Sequence, residues 1–162
     1  MTKGIRGEQR IPVGKIHSFR KFDKIQYFGK EYFIKALALF QNTYLKNPEI
    51  DKISTLRGMA IESNYISDCN RENKDYNAAF MGYQSSLNVS AEILKAQRSQ
   101  LAYSDVCVAL KKLAYLSIDQ GEYDKAAGHI KDGISVAETG LREFPGDRLI
   151  KNMALLHECA GF

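Results

Sequence analysis

Gly121-Glu122-Tyr123-Asp124-Lys125-Ala126-Ala127 is the stretch on which the reading of the fold turns. Upstream, Val106, Leu110, Leu113, Ala114 and Ser117 recur at helical spacing. Gly121 ends that pattern, because glycine enters the left-handed region at a helix C-terminus at little steric cost. Downstream, Tyr123, Ala126, Ala127, Ile130, Gly133, Ile134, Ala137, Leu141 and Phe144 define one face of a second helix. A turn this short predicts antiparallel neighbours. Ala126 and Gly133 are small where that face should meet its partner, so the backbones can approach closely. Phe144-Pro145-Gly146-Asp147 stops the helix, since proline cannot continue it.

Working outward, the same logic predicts about seven helices. Residues 1–15 hold three glycines, a proline and little periodicity, and are expected to form a flexible, basic arm. Helix becomes plausible from Ile16, with Phe19, Phe22 and Ile25 on one face and a break at Gly29. A second helix is expected over Glu31–Lys46, with Tyr32, Ala36, Leu39, Phe40 and Tyr44 inward, ending at Asn47-Pro48. Further helices follow at about 51–70, 75–96, 99–120 and 122–144, and a last one from Asp147. The turn before Asp75 lacks glycine, and Asn70 or Asn73 is expected to supply its left-handed residue. No segment alternates polar and apolar residues in the manner of a strand, so no strands are expected.

A shift of 47 residues lays 58–104 on 105–151 without a gap. Tyr76 falls on Tyr123, Ala79 on Ala126, Val89 on Val136 and Leu94 on Leu141. These four are the only identities, but helix pattern, turn and small residues keep register throughout. A period of this size with two helices per unit indicates a helical solenoid.

Composition bounds the rest. At 162 residues, 44% hydrophobic and 26% charged, the chain has the makings of one globular domain. No apolar run approaches the roughly 20 residues of a membrane span, and no secretory signal is seen. Cys69, Cys107 and Cys159 are odd in number and widely spaced, which fits a reducing, cytoplasmic setting. Residues 1–24 carry seven Lys or Arg against Glu8 and Asp23, a net of +5, while the whole chain is +4. The basic character therefore belongs to the arm.

The motif search points away from chemistry. His157-Glu158-Cys159 are adjacent, so on a helix their side chains diverge by about 100° and cannot chelate together. No phosphate loop, H-E-x-x-H or G-x-S-x-G is present. The expectation is a non-enzyme with no catalytic, metal or cofactor site. The basic arm followed by Phe19, Phe22, Tyr27 and Phe28 offers a second reading as a nucleic-acid- or ribonucleoprotein-associated factor.

Leu113-Ala114, Gly121-Glu122-Tyr123 and Ala126 resemble the tetratricopeptide repeat (TPR), with Pro48 at that family's proline position. The resemblance covers about residues 19–162. It departs in length, 47 residues against 34, and extended units of this kind resemble those of large bacterial proteins with signalling modules. The resemblance implies an all-α, right-handed α-solenoid of antiparallel helix pairs over 16–162. It also implies a scaffold or adaptor role, with a peptide or partner helix bound on the concave face. By the family register that face carries Ile61, Asn64, Asp68, Arg71, Val108, Lys111, Tyr115 and Ile118. The last helix has no following helix, so Met153, Leu156 and Ala160 are expected to be exposed unless that end packs on something, either by self-association or against a neighbouring domain or subunit.

Overall fold

The computed structural model describes the backbone of residues 15–16, 19–46 and 51–161, with side chains over 30–46 and 51–161. The arm ahead of Lys15, His17 and the Asn47-Pro48 stop lie outside the described residues. Six helices are present among them: α1 (Lys21–Lys46), α2 (Lys52–Glu72), α3 (Tyr76–Ala96), α4 (Gln100–Asp119), α5 (Tyr123–Glu143) and α6 (Asp147–Ala160). They are preceded by an antiparallel ladder of two two-residue strands, β1 (Lys15–Ile16) and β2 (Phe19–Arg20). The ladder corrects the expectation of helix from Ile16 and of no strands at all, since two residues are too few to show alternation.

The count of seven helices also falls to six, because α1 runs through Gly29. A glycine inside a helix costs only about 1 kcal/mol relative to alanine, which a 26-residue helix absorbs. Of the residues expected inward on α1, Ala36, Phe40 and Tyr44 are half-buried, whereas Tyr32 and Leu39 are not and Phe33 takes their place. Phe33 stacks on Tyr65 with ring centroids 4.7 Å apart, and the Phe40 ring fills the space over Gly58 of α2, where a Cβ would lie 2.5 Å from its Cζ. Tyr32 and Leu39 are each 68% exposed. The notch at Gly58 selects the Phe33/Phe40 stripe over the Tyr32/Leu39 stripe beside it.

The 47-residue period is visible in the element bounds. Helix α3 spans Tyr76–Ala96 and α5 spans Tyr123–Glu143, each bound displaced by 47; α4 begins at Gln100 and α6 at Asp147, again 47 apart. The turns match as well. The Asp75 N–H donates to Asn70 O at 2.9 Å and the Lys74 N–H to Arg71 O at 2.9 Å; in the next unit Glu122 donates to Ser117 O at 2.8 Å and Gly121 to Ile118 O at 2.9 Å. Both are Schellman closures. Their left-handed residues are Gly121 (φ 73°) and Lys74 (φ 61°), not Asn70 or Asn73. Asn70 is buried, and its side-chain oxygen accepts from Lys30 Nζ at 2.6 Å. Three helix starts are capped by side chains: Asp51 accepts from the Ser54 N–H, Asp75 from the Ala78 N–H, and Ser99 from the Ala102 N–H.

Packing is sequential, each helix lying on the next, with α4 also on α6. Helix α4 is the centre of the core. Tyr103 and Cys107 pack with Ile130, Ala137, Leu149 and Leu156 of α5 and α6. Leu113 and Leu116 pack with Ala79 and Tyr83 of α3, and Ala102 packs with Leu56 and Ile93. Gly133, as expected, and Gly140, which is not on the expected face, let α5 approach closely. A Cβ on Gly133 would sit 2.9 Å from Leu156 Cδ1, and one on Gly140 2.8 Å from Tyr103 Cγ. Tyr123, expected inward, is 62% exposed at the helix start. Leu156 is fully buried over Gly133, Met153 is half-buried and only Ala160 is exposed. The expected apolar stripe on α6 is therefore mostly turned into the protein's own core.

Candidate functional site

Two of the cavities among the described residues bear on the first helices of the units. The polar one, of about 230 Å³, lies where α2, α4 and α6 come together over α3. The apolar one, of about 500 Å³, lies beyond α4 between α5 and the end of α6, with Ile118, Ile130, Ile134 and Cys159 among its walls.

The polar cavity follows from how α2, α4 and α6 are spaced. Backbones of α4 and α6 pack directly, and the buried Asn152 Nδ2 donates to Ser104 Oγ at 2.8 Å between them. Helices α2 and α4 approach each other at few points. Long side chains span that gap: Arg57 to Asp105 at 2.6 Å, Lys112 to Asp68 at 2.6 Å and Arg71 to Asp119 at 3.0 Å. Arg57–Asp105, Arg71–Asp119 and Ser104–Asn152 each join residues 48 apart, one more than the repeat period. The ion pairs among these links are partly exposed and contribute at most about 1 kcal/mol each, so they set spacing more than stability. Burial pushes the Asp105 carboxyl above its ordinary value, against the pull of Arg57.

The eight residues assigned from the sequence divide among several roles. Ile61, 42% exposed, lines the polar cavity with Asn64 and Val108. Asp68 is committed to structure: it accepts from Tyr83 Oη at 2.5 Å as well as from Lys112. Burial and the Asp68 charge hold the Tyr83 phenol far above its usual range. Arg71 pairs with Asp119 and lies 5.7 Å from the Tyr115 ring centroid. The neighbouring Cys159 thiol, together with burial, pushes the Tyr115 hydroxyl up to about 12. Lys111 is half-buried, its proton affinity lowered by burial and then by the Lys112 and Lys151 charges. Ile118 belongs to the other cavity.

Sequence reasoning missed the floor of the polar cavity. Ser86 and Ser90 of α3 are 1% and 2% exposed, and Ser104 of α4 is 5% exposed. It also missed the rim, formed by the Arg57–Asp105 pair and Arg148 of α6. Offset by 47 residues, Ser86 and Ser90 fall on Gly133 and Ala137, so in the sequence they read as small spacers between helices.

Burial pushes the Cys107 thiol up to about 12, which leaves it un-ionised and unsuited to nucleophilic attack. Among the described residues no group of three or more His, Cys, Asp or Glu is arranged to hold a metal, and no helix is long and apolar enough to cross a membrane. No family model, curated protein or solved structure matches this chain.

Proposed function

We propose that the chain is a protein-interaction module: a small right-handed TPR-like solenoid that holds a peptide segment of a partner along α2, α4 and α6. The observation that carries this reading is the repeated 48-residue link. Arg57–Asp105, Arg71–Asp119 and Ser104–Asn152 align the first helix of each unit beside the next, and a cavity opens along that row with Ile61, Asn64 and Val108 on it. An apolar contact flanked by polar groups suits anchoring plus orientation of a side chain. The scaffold is already ordered, so binding does not bear the cost of folding it. An adaptor role in a regulatory complex is the setting that the repeat type favours.

The test is selection of peptides from a random dodecamer display library on the intact chain, followed by fluorescence anisotropy of the recovered sequences. Lys111→Glu and Val108→Glu should each weaken binding at least about tenfold, a loss of about 1.4 kcal/mol. Unchanged affinity in both variants would sink the assignment of this face.

A further inference from the structure

Ser86 carries a hydroxyl with no hydrogen-bond partner, although the residue is only 1% exposed. The Asn64 side-chain oxygen is likewise buried and unpartnered. Both line the same 230 Å³ polar cavity. An unsatisfied buried polar group costs on the order of 1–3 kcal/mol, and two at one cavity call for a reason. The repeat does not impose them. In the second unit the Ser86 and Ser90 positions are Gly133 and Ala137, and Leu156 closes over Gly133. The fold therefore accepts an apolar floor at this point and has a polar one in the first unit only.

Charge at the rim narrows what would satisfy that floor. Arg57 and Asp105 neutralise each other. Arg148 is exposed, lies near Asp105, and makes no ion pair within 4 Å among the described residues. Further along the same row, Lys111 feels the positive charge of Lys151 as well as that of Lys112, the latter already paired with Asp68. A ligand group should accept from the Ser86 hydroxyl, meet a guanidinium and carry one negative charge. Asn64 can turn its amide to present Nδ2 as a second donor. A dianion such as phosphate would lie against the Asp105 carboxylate, whereas a monoanion on Arg148 leaves the site balanced. The volume suits one side chain and excludes a nucleotide.

We infer that the Ser86–Ser90–Ser104 cavity is the seat for an Asp or Glu side chain of an acidic peptide, its carboxylate held by Arg148, Ser86 and Asn64. This rests on the peptide-holding reading above and names the chemistry of its ligand.

The experiment is an NMR titration of the ¹⁵N-labelled full chain with an alternating Glu-Gly decapeptide, its Gln-Gly counterpart and a phosphoserine-Gly counterpart. The peptides recovered from the display library are run in parallel. Saturable shifts of the Asn64 side-chain amide and the Ser86 and Ser104 backbone amides are expected with Glu-Gly, and about tenfold weaker binding with Gln-Gly. Arg148→Ala should lower Glu-Gly affinity about tenfold and leave Gln-Gly unchanged. Ser86→Ala should weaken Glu-Gly about threefold or more in a fully folded chain, because the fold gains nothing from that hydroxyl. Equal binding of Glu-Gly and Gln-Gly, tighter binding of the phosphoserine peptide, shifts confined to the Ile118–Ile134 cleft, or no saturable shift would each overturn the inference. If library peptides still perturb α2, α4 and α6 in those cases, the peptide-holding reading stands alone. If they do not, both fall.

Discussion

Helix α5 contains three glycines that a single substitution should affect with opposite signs. Replacing a helix-interior glycine by alanine gains about 1 kcal/mol in backbone propensity. At Gly128 nothing lies within 4 Å of the added Cβ, so that gain is undiminished. At Gly133 the Cβ would meet Leu156 Cδ1 at 2.9 Å and Cδ2 at 3.0 Å. At Gly140 it would meet Tyr103 Cγ at 2.8 Å, Tyr103 Cβ at 2.9 Å and Leu149 Cδ1 at 2.9 Å. Tyr103, Leu149 and Leu156 are buried and have little room to retreat. Overpacking of this kind costs about 1–3 kcal/mol, with Gly140 at the upper end because a stem atom of Tyr103 is in the way. The net expectation is about 1 kcal/mol of stabilisation for Gly128→Ala and about 2 kcal/mol of destabilisation for Gly140→Ala, with Gly133→Ala between them. At this chain length those changes correspond to Tm shifts of about +3 °C and −6 °C. Urea unfolding followed by circular dichroism, with thermal melts beside it, measures both. A Gly140→Ala protein as stable as the parent would refute the close approach of α5 to α4 and α6.

Other perturbations probe the turn, the polar floor and a titrating group. Lys74→Gly should stabilise the chain by about 1 kcal/mol in chemical denaturation, since a lysine at φ 61° bears left-handed strain that glycine avoids; a loss would show that the lysine side chain matters more than its backbone. Ser86→Ala should raise stability by about 1 kcal/mol by removing an unpaired buried hydroxyl, and a clear loss would mean that the hydroxyl is satisfied in the folded protein. Burial lowers the His129 pKa below its ordinary 6.5, against Asp132 and in concert with Lys125. The unfolded chain then takes up that proton first, so stability should fall as pH drops through about 6.5 toward the lowered value. His129→Gln should flatten that slope in unfolding curves at pH 7 and pH 5.5; an unchanged slope would remove His129 from the account.

What was legible in the sequence was what local chemistry enforces. Gly121 and the Pro145-Gly146 pair mark helix ends, and the 47-residue register carries through to the element bounds. Lys74 escaped because its left-handed backbone is forced by the copied turn rather than chosen by the residue. Asn73 had the better propensity, and Asn70 was already engaged by Lys30. Phe33 escaped because Tyr32 and Leu39 fit the period of Ala36, Phe40 and Tyr44 as well as it does, and only the seating of Phe40 on Gly58 of another helix decides between them. Leu156 looked like an exposed end residue until Gly133 supplied the notch that buries it. Asp68 and Arg71 both lie on α2, but the partner of Arg71 is one residue beyond the repeat period and that of Asp68 three residues short of it, so their role as struts was not visible. The serine floor was hidden because a small residue at a helix crossing looks the same whether it is there for its size or for its hydroxyl.

The bridging of α2 to α4 by Arg57–Asp105, Asp68–Lys112 and Arg71–Asp119 has a mechanical consequence. Where two helices are joined by interlocked side chains, their separation is fixed as rigidly as the core itself. Here one half of the row is joined by charge across a gap, and charge yields to screening. Added salt should weaken that joint, whereas the direct packing of α4 on α6, with its buried Asn152–Ser104 hydrogen bond, is not screened in this way. The α2–α4 spacing is therefore expected to respond to ionic strength more than the α4–α6 spacing does.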